Sequence, residues 1–329
     1  MAVSSRSEPE GPVTEVARAG GPHIPALLER VERRLAELAA GHGDALAEHA
    51  GATIAAGGKR LRPLLVFLAA GEADGEGLVR AATAVELVHS ATLVHDDVLD
   101  GAPLRRGIPT VVASAGREAA TATGDLLFAR AFAELADNGR ADQVRVLSDA
   151  GSALARGELL QRADAWNAAI SVEHYLHRCD LKTARLFQAA CELGALEADH
   201  GSHAELGDFG RRIGLAFQLL DDVLDVSGPA SRTGKHRGTD LLDGTITLPF
   251  ILARKHDPEL AALDPRSVSD PAHAERVCDR IEASGALEQA RARALAMVDQ
   301  AKAVLPADLP AAQRHALELV AQGVVARYA

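Results

Sequence analysis

Aromatic side chains are scarce in this sequence: one tryptophan, two tyrosines and seven phenylalanines make up 3% of 329 residues. Any core must therefore be assembled from aliphatic side chains, and the apolar share of 47% supplies enough of them. Cysteine is scarcer still. Cys179, Cys191 and Cys278 are odd in number and form no CxxC pair, which argues against a disulfide framework or a thiolate zinc site and for a reducing, cytoplasmic setting. Positive charge is in deficit, with 35 Lys and Arg against 46 Asp and Glu and a net charge of −11. A whole-chain nucleic-acid footprint is thereby excluded, although a local cationic pocket is not. Long apolar runs are missing too. The longest clean one, Leu64 to Ala70, falls far short of the ~20 residues that span a bilayer, so no transmembrane segment is expected. The first residues hold no apolar stretch of the secretory type, and no leader is expected there. Alternating β-branched runs bounded by turns are nearly absent, which leaves strands without support.

What remains is helical texture. Residues 1–24 mix Ser, Glu, Pro, Gly and Arg without period and read as a flexible tail. From Pro25 the apolar residues Leu27, Leu28, Val31, Leu35 and Leu38 recur every three to four positions, the mark of an amphipathic helix. The same texture returns at 59–70, 77–100, 117–137, 141–165, 172–198, 203–227, 245–255, 272–284, 286–304 and 310–328. Breaks are short, and Asp270-Pro271 has the form of an N-cap followed by proline at the first helical position. With no long linker and no solenoid period, the reading is one all-α domain over residues 25–329.

One pentapeptide occurs twice: Asp96-Asp97-Val98-Leu99-Asp100 and Asp221-Asp222-Val223-Leu224-Asp225. Each ends an apolar helical run. Residues i and i+4 of a helix project from one face about 6 Å apart, which aligns Asp96 with Asp100 and Asp221 with Asp225. Carboxylates in that position repel one another and oppose the negative end of the helix dipole. A structural protein gains nothing by building this twice, whereas Mg²⁺ that keeps some waters and shares substrate phosphates resolves the conflict.

A polyphosphate ligand needs cations as well. Gly57-Gly58-Lys59-Arg60-Leu61-Arg62-Pro63 supplies three at a loop-to-helix junction, where glycine permits close approach and helix-start amides favour an anion. Arg105-Arg106-Gly107 follows the first acidic cluster and offers two guanidinium forks. Lys182-Thr183 and Lys235 complete the set. His89 lies about two turns before Asp96 on nearly the same face and is a candidate through its neighbours; His95 reads more readily as structural.

Together these residues resemble the trans-isoprenyl diphosphate synthase (polyprenyl synthetase) family. The resemblance runs from Gly57 to Pro249 through GGKRLRP, ELVHSATLVHDDVLD, LRRG, GDLLFARAF (124–132), GELLQ (157–161), KTARLF (182–187), GLAFQLLDDVLD (214–225), GK (234–235) and TDLLDGTITLP (239–249). It implies an all-α bundle around a deep central cavity, a homodimer, and head-to-tail condensation of isopentenyl diphosphate onto an allylic diphosphate. It also implies roles for individual residues. Asp96 and Asp100 would hold two Mg²⁺ ions and Asp221 a third, supported by Asp97, Asp222 and Asp225. Arg105, Lys182 and Lys235 would clamp the allylic diphosphate, and Lys59, Arg62, His89 and Arg106 the isopentenyl diphosphate. Thr183 and Gln218 would face the developing allylic cation, and Phe217 the isopentenyl chain. One departure stands out, because Thr245 follows Gly244 where the family usually has lysine.

In such a family product length depends on the residues before the first acidic cluster. Ala91 and Thr92 lack the bulky aromatic of short-chain members, and Val88, a turn deeper, is no larger. An open floor of this kind predicts a product of about C30 or longer rather than a geranylgeranyl (C20) product. A terpene cyclase would leave Lys59, Arg62, His89 and Arg106 idle, and a non-catalytic subunit would be expected to lose one acidic cluster. If the floor is open at Ala91, Ala91→Phe should shorten the product to about C15–C20; an unchanged distribution on reverse-phase chromatography would refute it.

Overall fold

The structure, a computed structural model, describes residues 12–41, 43–55, 58, 60–228 and 237–326. Its helices are α1 (Pro12–Ala19), α2 (His23–Ala40), α3 (Asp44–Ala55), α4 (Leu61–Ala70), α5 (Glu76–Asp100), α6 (Val111–Ala115), α7 (Arg117–Ala136), α8 (Ala141–Ala163), α9 (Val172–Cys179), α10 (Arg185–Glu197), α11 (His203–Ser227), α12 (Thr239–Leu242), α13 (Leu248–Ala253), α14 (Pro258–Ala262), α15 (Pro271–Ala283), α16 (Ala286–Ala303) and α17 (Ala311–Ala326). A π-helical turn, Asp180–Ala184, joins α9 to α10. The all-α expectation holds, with one small exception. Leu104–Arg105 (β1) and Ile108–Pro109 (β2) pair antiparallel, Leu104 opposite Pro109 and Arg105 opposite Ile108. The turn between them is Arg106-Gly107, at φ 54° and 78°. Positive φ at both central residues is the tight hairpin geometry that follows strand twist, and Arg106 adopts it without being glycine.

The expected tail does not extend to residue 24. Residues 1–11 lie outside the described residues, but Pro12–Ala19 is a helix with Val16 and Ala17 buried, packed against α17. Proline at its first position and Gly20-Gly21 after its end are ordinary boundary signals. Eight residues are too few to hold a helix alone, so the stabilising contact comes from the far end of the chain.

The long pairs α5–α7, α10–α11, α4–α10 and α11–α16 build the bundle. Phe67, Tyr175, Phe187, Phe209 and Phe250 are among its largest fully buried side chains, so half of the ten aromatics sit deep in the aliphatic core. Helix α5 is long and apolar enough to cross a membrane by length and composition, yet 72% of its most apolar window is buried within the fold. It is a core helix, stopped by Gly101 in the left-handed region, whose N–H donates to the Asp97 carbonyl.

The π turn is wedged between neighbours that give it room only because they are glycines. A Cβ on Gly157 of α8 would stand 2.6 Å from the Lys182 amide nitrogen, and one on Gly214 of α11 would stand 2.7 Å from the Ala184 Cα. Asp180, buried at the start of the turn, accepts from Arg185 at 3.0 Å and from Arg211 of α11 at 2.5 Å. A π turn inserted in a helix re-aims the side chains it carries, here Lys182 and Thr183. Gly157→Ala should therefore lower stability by about 1–3 kcal/mol, whereas Gly151→Ala in the same helix, with nothing within 4 Å of its would-be Cβ, should be neutral or mildly stabilising. Thermal unfolding of the two variants checks the contrast.

Candidate active site

Helices α5 and α11 end on the same space. A cavity of about 480 Å³ is lined by Asp96 and Asp100 from the first and by Asp221, Asp222 and Asp225 from the second. Lys182, Thr183 and Gln218 share its wall. Asp240 of α12 and Asp243 just beyond it also line it, though neither was singled out from sequence. Both stand in the TDLLDG stretch, so the signal was present without a role attached. Thr245 is here too, its amide donating to the Asp240 carbonyl at 2.8 Å. It brings a hydroxyl where an ammonium was expected, while Arg162 of α8 contributes a guanidinium to the same wall.

The six aspartates are not equivalent. Asp97 is buried and engaged by Arg105, whose Nε lies 2.9 Å and Nη2 2.7 Å from Oδ1. Asp222 is buried with both oxygens occupied, Oδ1 accepting from Gln218 at 2.8 Å and Oδ2 from Tyr175 at 2.6 Å. Burial, then the nearby Asp240, pushes its pKa up. Asp100 accepts from Arg162 at 2.5 Å, and Arg162 bridges on to Glu158 at 2.7 Å, which in turn holds the Lys182 ammonium. Asp225 accepts the Asp240 amide at 3.3 Å. Asp96 differs: burial raises its pKa to about 6, with Lys182 pulling down and Glu158 and Asp100 pushing up. These donors fit a hard divalent cation. Among the described residues no three ligating side chains converge into a closed cage.

A second cavity, about 530 Å³, adjoins the first through Asp221. Arg60, Arg62, Arg105, Arg106 and His89 line it, over a floor that includes Phe187 and Phe217. Val16 of α1 and Val320 and Val324 of α17 close its side. The Arg62 guanidinium lies 4.7 Å from the Phe187 ring centroid, and burial lowers its pKa to about 10, partly offset by Glu86. His89 is pushed well below its ordinary value, by burial first and then by Arg62, Arg106, Arg105 and Arg60. Four guanidiniums around one imidazole make a surface suited to an anion. Arg105, expected beside Lys182, stands on this wall and not on that of the first cavity. Arg60, to which no role was given, ties Glu32 and Glu86 together. Lys59 and Lys235 lie outside the described residues.

A third cavity, about 480 Å³ and mostly apolar, runs from Asp96 and Lys182 between α5, α7 and α8. Thr92, Phe128, Leu154 and Leu159 line it, and His95 stacks on Phe128 with ring centroids 5.9 Å apart. Of the three positions expected to form its floor, only Thr92 does so. Ala91 and Val88 are fully buried in the helix packing and do not line it. Tyr175, Glu158 and Arg162 were missed from sequence altogether. Glu158 sits in the GELLQ stretch, but the reach of Tyr175 to Asp222 left no sequence signal.

Residues 44–282 match the polyprenyl synthetase family. Among relatives, the heptaprenyl diphosphate synthase component 2 of Geobacillus stearothermophilus is 38% identical over 281 residues, covering 83% of this chain and 87% of its own. The octaprenyl diphosphate synthase of Escherichia coli is 37% identical over 260 residues, 77% of this chain and 80% of its own. Among solved structures, a decaprenyl diphosphate synthase from Rhodobacter capsulatus superposes with a TM-score of 0.88 at 33% identity, over 96% of this chain and 99% of that one. A polyprenyl synthase from Caulobacter crescentus, complexed with calcium and isoprenyl diphosphate, does so with a TM-score of 0.86 at 35% identity, over 98% and 100%. The chain belongs to the polyprenyl synthetase family of prenyltransferases.

Proposed function

We propose that this chain is an all-trans polyprenyl diphosphate synthase, condensing isopentenyl diphosphate head-to-tail onto an allylic diphosphate in a Mg²⁺-dependent reaction. One observation carries the reading: three cavities of different chemistry meet through shared walls. Asp221 lines the acidic and the arginine-rich cavity, and Asp96 and Lys182 line the acidic and the apolar one. The allylic diphosphate belongs in the first, isopentenyl diphosphate in the second, and the growing hydrocarbon in the third.

Magnesium, about three ions by family resemblance, would be held by Asp96, Asp100 and Asp221 and would draw charge from the departing diphosphate. Lys182 stabilises the same charge as a fixed cation in a site of low dielectric. Thr183 and Gln218 face the allylic carbon, and the apolar wall excludes water from the cation. Arg62, Arg106 and neutral His89 anchor the second diphosphate, with Phe217 against its short chain, and Arg105 joins them while holding Asp97. The remaining carboxylates orient these groups by hydrogen bonds. The protein is proposed to work as a cytoplasmic homodimer. Both acidic helices face one cavity, which favours a catalytic chain over an accessory subunit.

A product of about C30 or longer agrees with the heptaprenyl, octaprenyl and decaprenyl names of the relatives and with the open third cavity. Its mouth carries Leu99 and Leu159, 47% and 72% exposed, so the hydrocarbon has an apolar path outward. Purified chain given farnesyl and isopentenyl diphosphates with Mg²⁺ should release diphosphate, and chelation should stop it. Asp96→Asn should lower kcat by about 10²–10³-fold. A parent chain without turnover would refute the reading.

Thr92→Tyr should shorten the product by filling the third cavity. Ala91→Phe should instead overpack a buried position and lower stability by about 1–3 kcal/mol, so its product distribution has to be read alongside its melting temperature.

A further inference from the structure

Tyr175 is fully buried behind the wall of the acidic cavity, among the residues that line it. It opens a chain of three hydrogen bonds. The Tyr175 hydroxyl donates to Asp222 Oδ2 at 2.6 Å, Gln218 Nε2 donates to Asp222 Oδ1 at 2.8 Å, and Thr183 Oγ1 donates to Gln218 Oε1 at 2.6 Å. The tyrosine ring is backed by Arg178, whose guanidinium lies 5.6 Å from the ring centroid. Arg178 in turn bonds Asp164 at 3.4 Å and the Ile246 carbonyl.

The direction of this chain has a chemical consequence. Both Asp222 oxygens accept in this network, Oδ2 from the Tyr175 hydroxyl and Oδ1 from the Gln218 amide nitrogen, so the Gln218 side chain is held with its nitrogen turned inward. That orientation leaves the Gln218 carbonyl facing Thr183 and commits the Thr183 hydrogen to it. Both remaining lone pairs of Thr183 are then free for the cavity, the polarity an electron-poor carbon needs. A flipped Gln218 amide would present N–H to Thr183, consume a lone pair and release the hydroxyl hydrogen toward the reacting carbon. Amide orientation is set by the network around it, and cooperative chains strengthen each link.

We propose that Tyr175 is a positioning residue that, through Asp222 and Gln218, fixes the direction of the Thr183 hydroxyl. The proposal rests on the reading of the acidic cavity as the allylic site. Tyr175 is fully buried and acts through Asp222. Its effect is on the step in which the cation forms, not on binding.

The test is a double-mutant cycle on the full chain, read as single-turnover rates with farnesyl and isopentenyl diphosphates and Mg²⁺. Tyr175→Phe keeps the ring and removes the hydroxyl. It is expected to slow condensation about 10-fold, with KM for both substrates within about twofold of the parent. In a Thr183→Val background the same substitution should cost less than about twofold, because the group it directs is gone. A full rate in Tyr175→Phe, or costs that simply multiply, would overturn the relay while an active parent leaves the functional reading standing. An inactive parent would overturn both. Tyr175→Leu, which also lacks the hydroxyl, serves if Tyr175→Phe does not fold. It should show the same non-additivity with Thr183→Val, and multiplying costs there would count equally against the proposal.

Discussion

Like charge gathered at two helix ends is the constraint around which this molecule is arranged. Two carboxylates about 6 Å apart repel by about 3 kcal/mol at an effective dielectric of about 20, and each triad also sits at the negative end of its own helix. The surroundings answer these charges one by one. Arg105 takes Asp97, Arg162 takes Asp100, and Tyr175 with Gln218 takes Asp222. Asp96 keeps a raised pKa. The second cavity carries the opposite imbalance, with guanidiniums around a neutral histidine. The two opposite imbalances lie side by side, since Asp221 lines both cavities.

The scarcity of aromatic residues shapes how closely this arrangement can be held. With aliphatic and small side chains between helices, backbones approach to distances that leave no room for a Cβ at Gly157 or Gly214. The π turn lies in that gap, braced through Asp180 to Arg185 and Arg211. Thr183 and the backbone of Lys182 are therefore positioned by the turn itself. The same economy of bulk leaves an apolar passage between α5, α7 and α8, where Phe128 and its stacked partner His95 are the principal obstructions.

Much of the site was legible in the chain because its parts are local. DDVLD on a helix places carboxylates on one face by periodicity alone, and GGKRLRP and RRG announce cations at places where the backbone turns sharply. Arg106 at φ 54° and Arg60 at φ 46° carry the left-handed backbone that such turns impose. Other features depend on distant segments. Helix α1 has ordinary boundary residues, but only α17 at the other end of the chain makes it a wall of the second cavity. Ala91 and Thr92 are neighbours in sequence, yet a rotation of about 100° per residue sends one into the packing of α5 and the other into the passage.

By itself the sequence determined the helical class, the two carboxylate-bearing faces and the inventory of basic residues, since these follow from residue type and helical period. Tertiary structure decided which face each group serves. It moved Arg105 to the wall beside His89 and joined Lys182 to Arg162 through Glu158. It also brought Tyr175 to Asp222, a contact no spacing rule could foretell. The physical reason is that charge and hydrogen-bond satisfaction are settled between helices, across distances in sequence that local propensity does not reach.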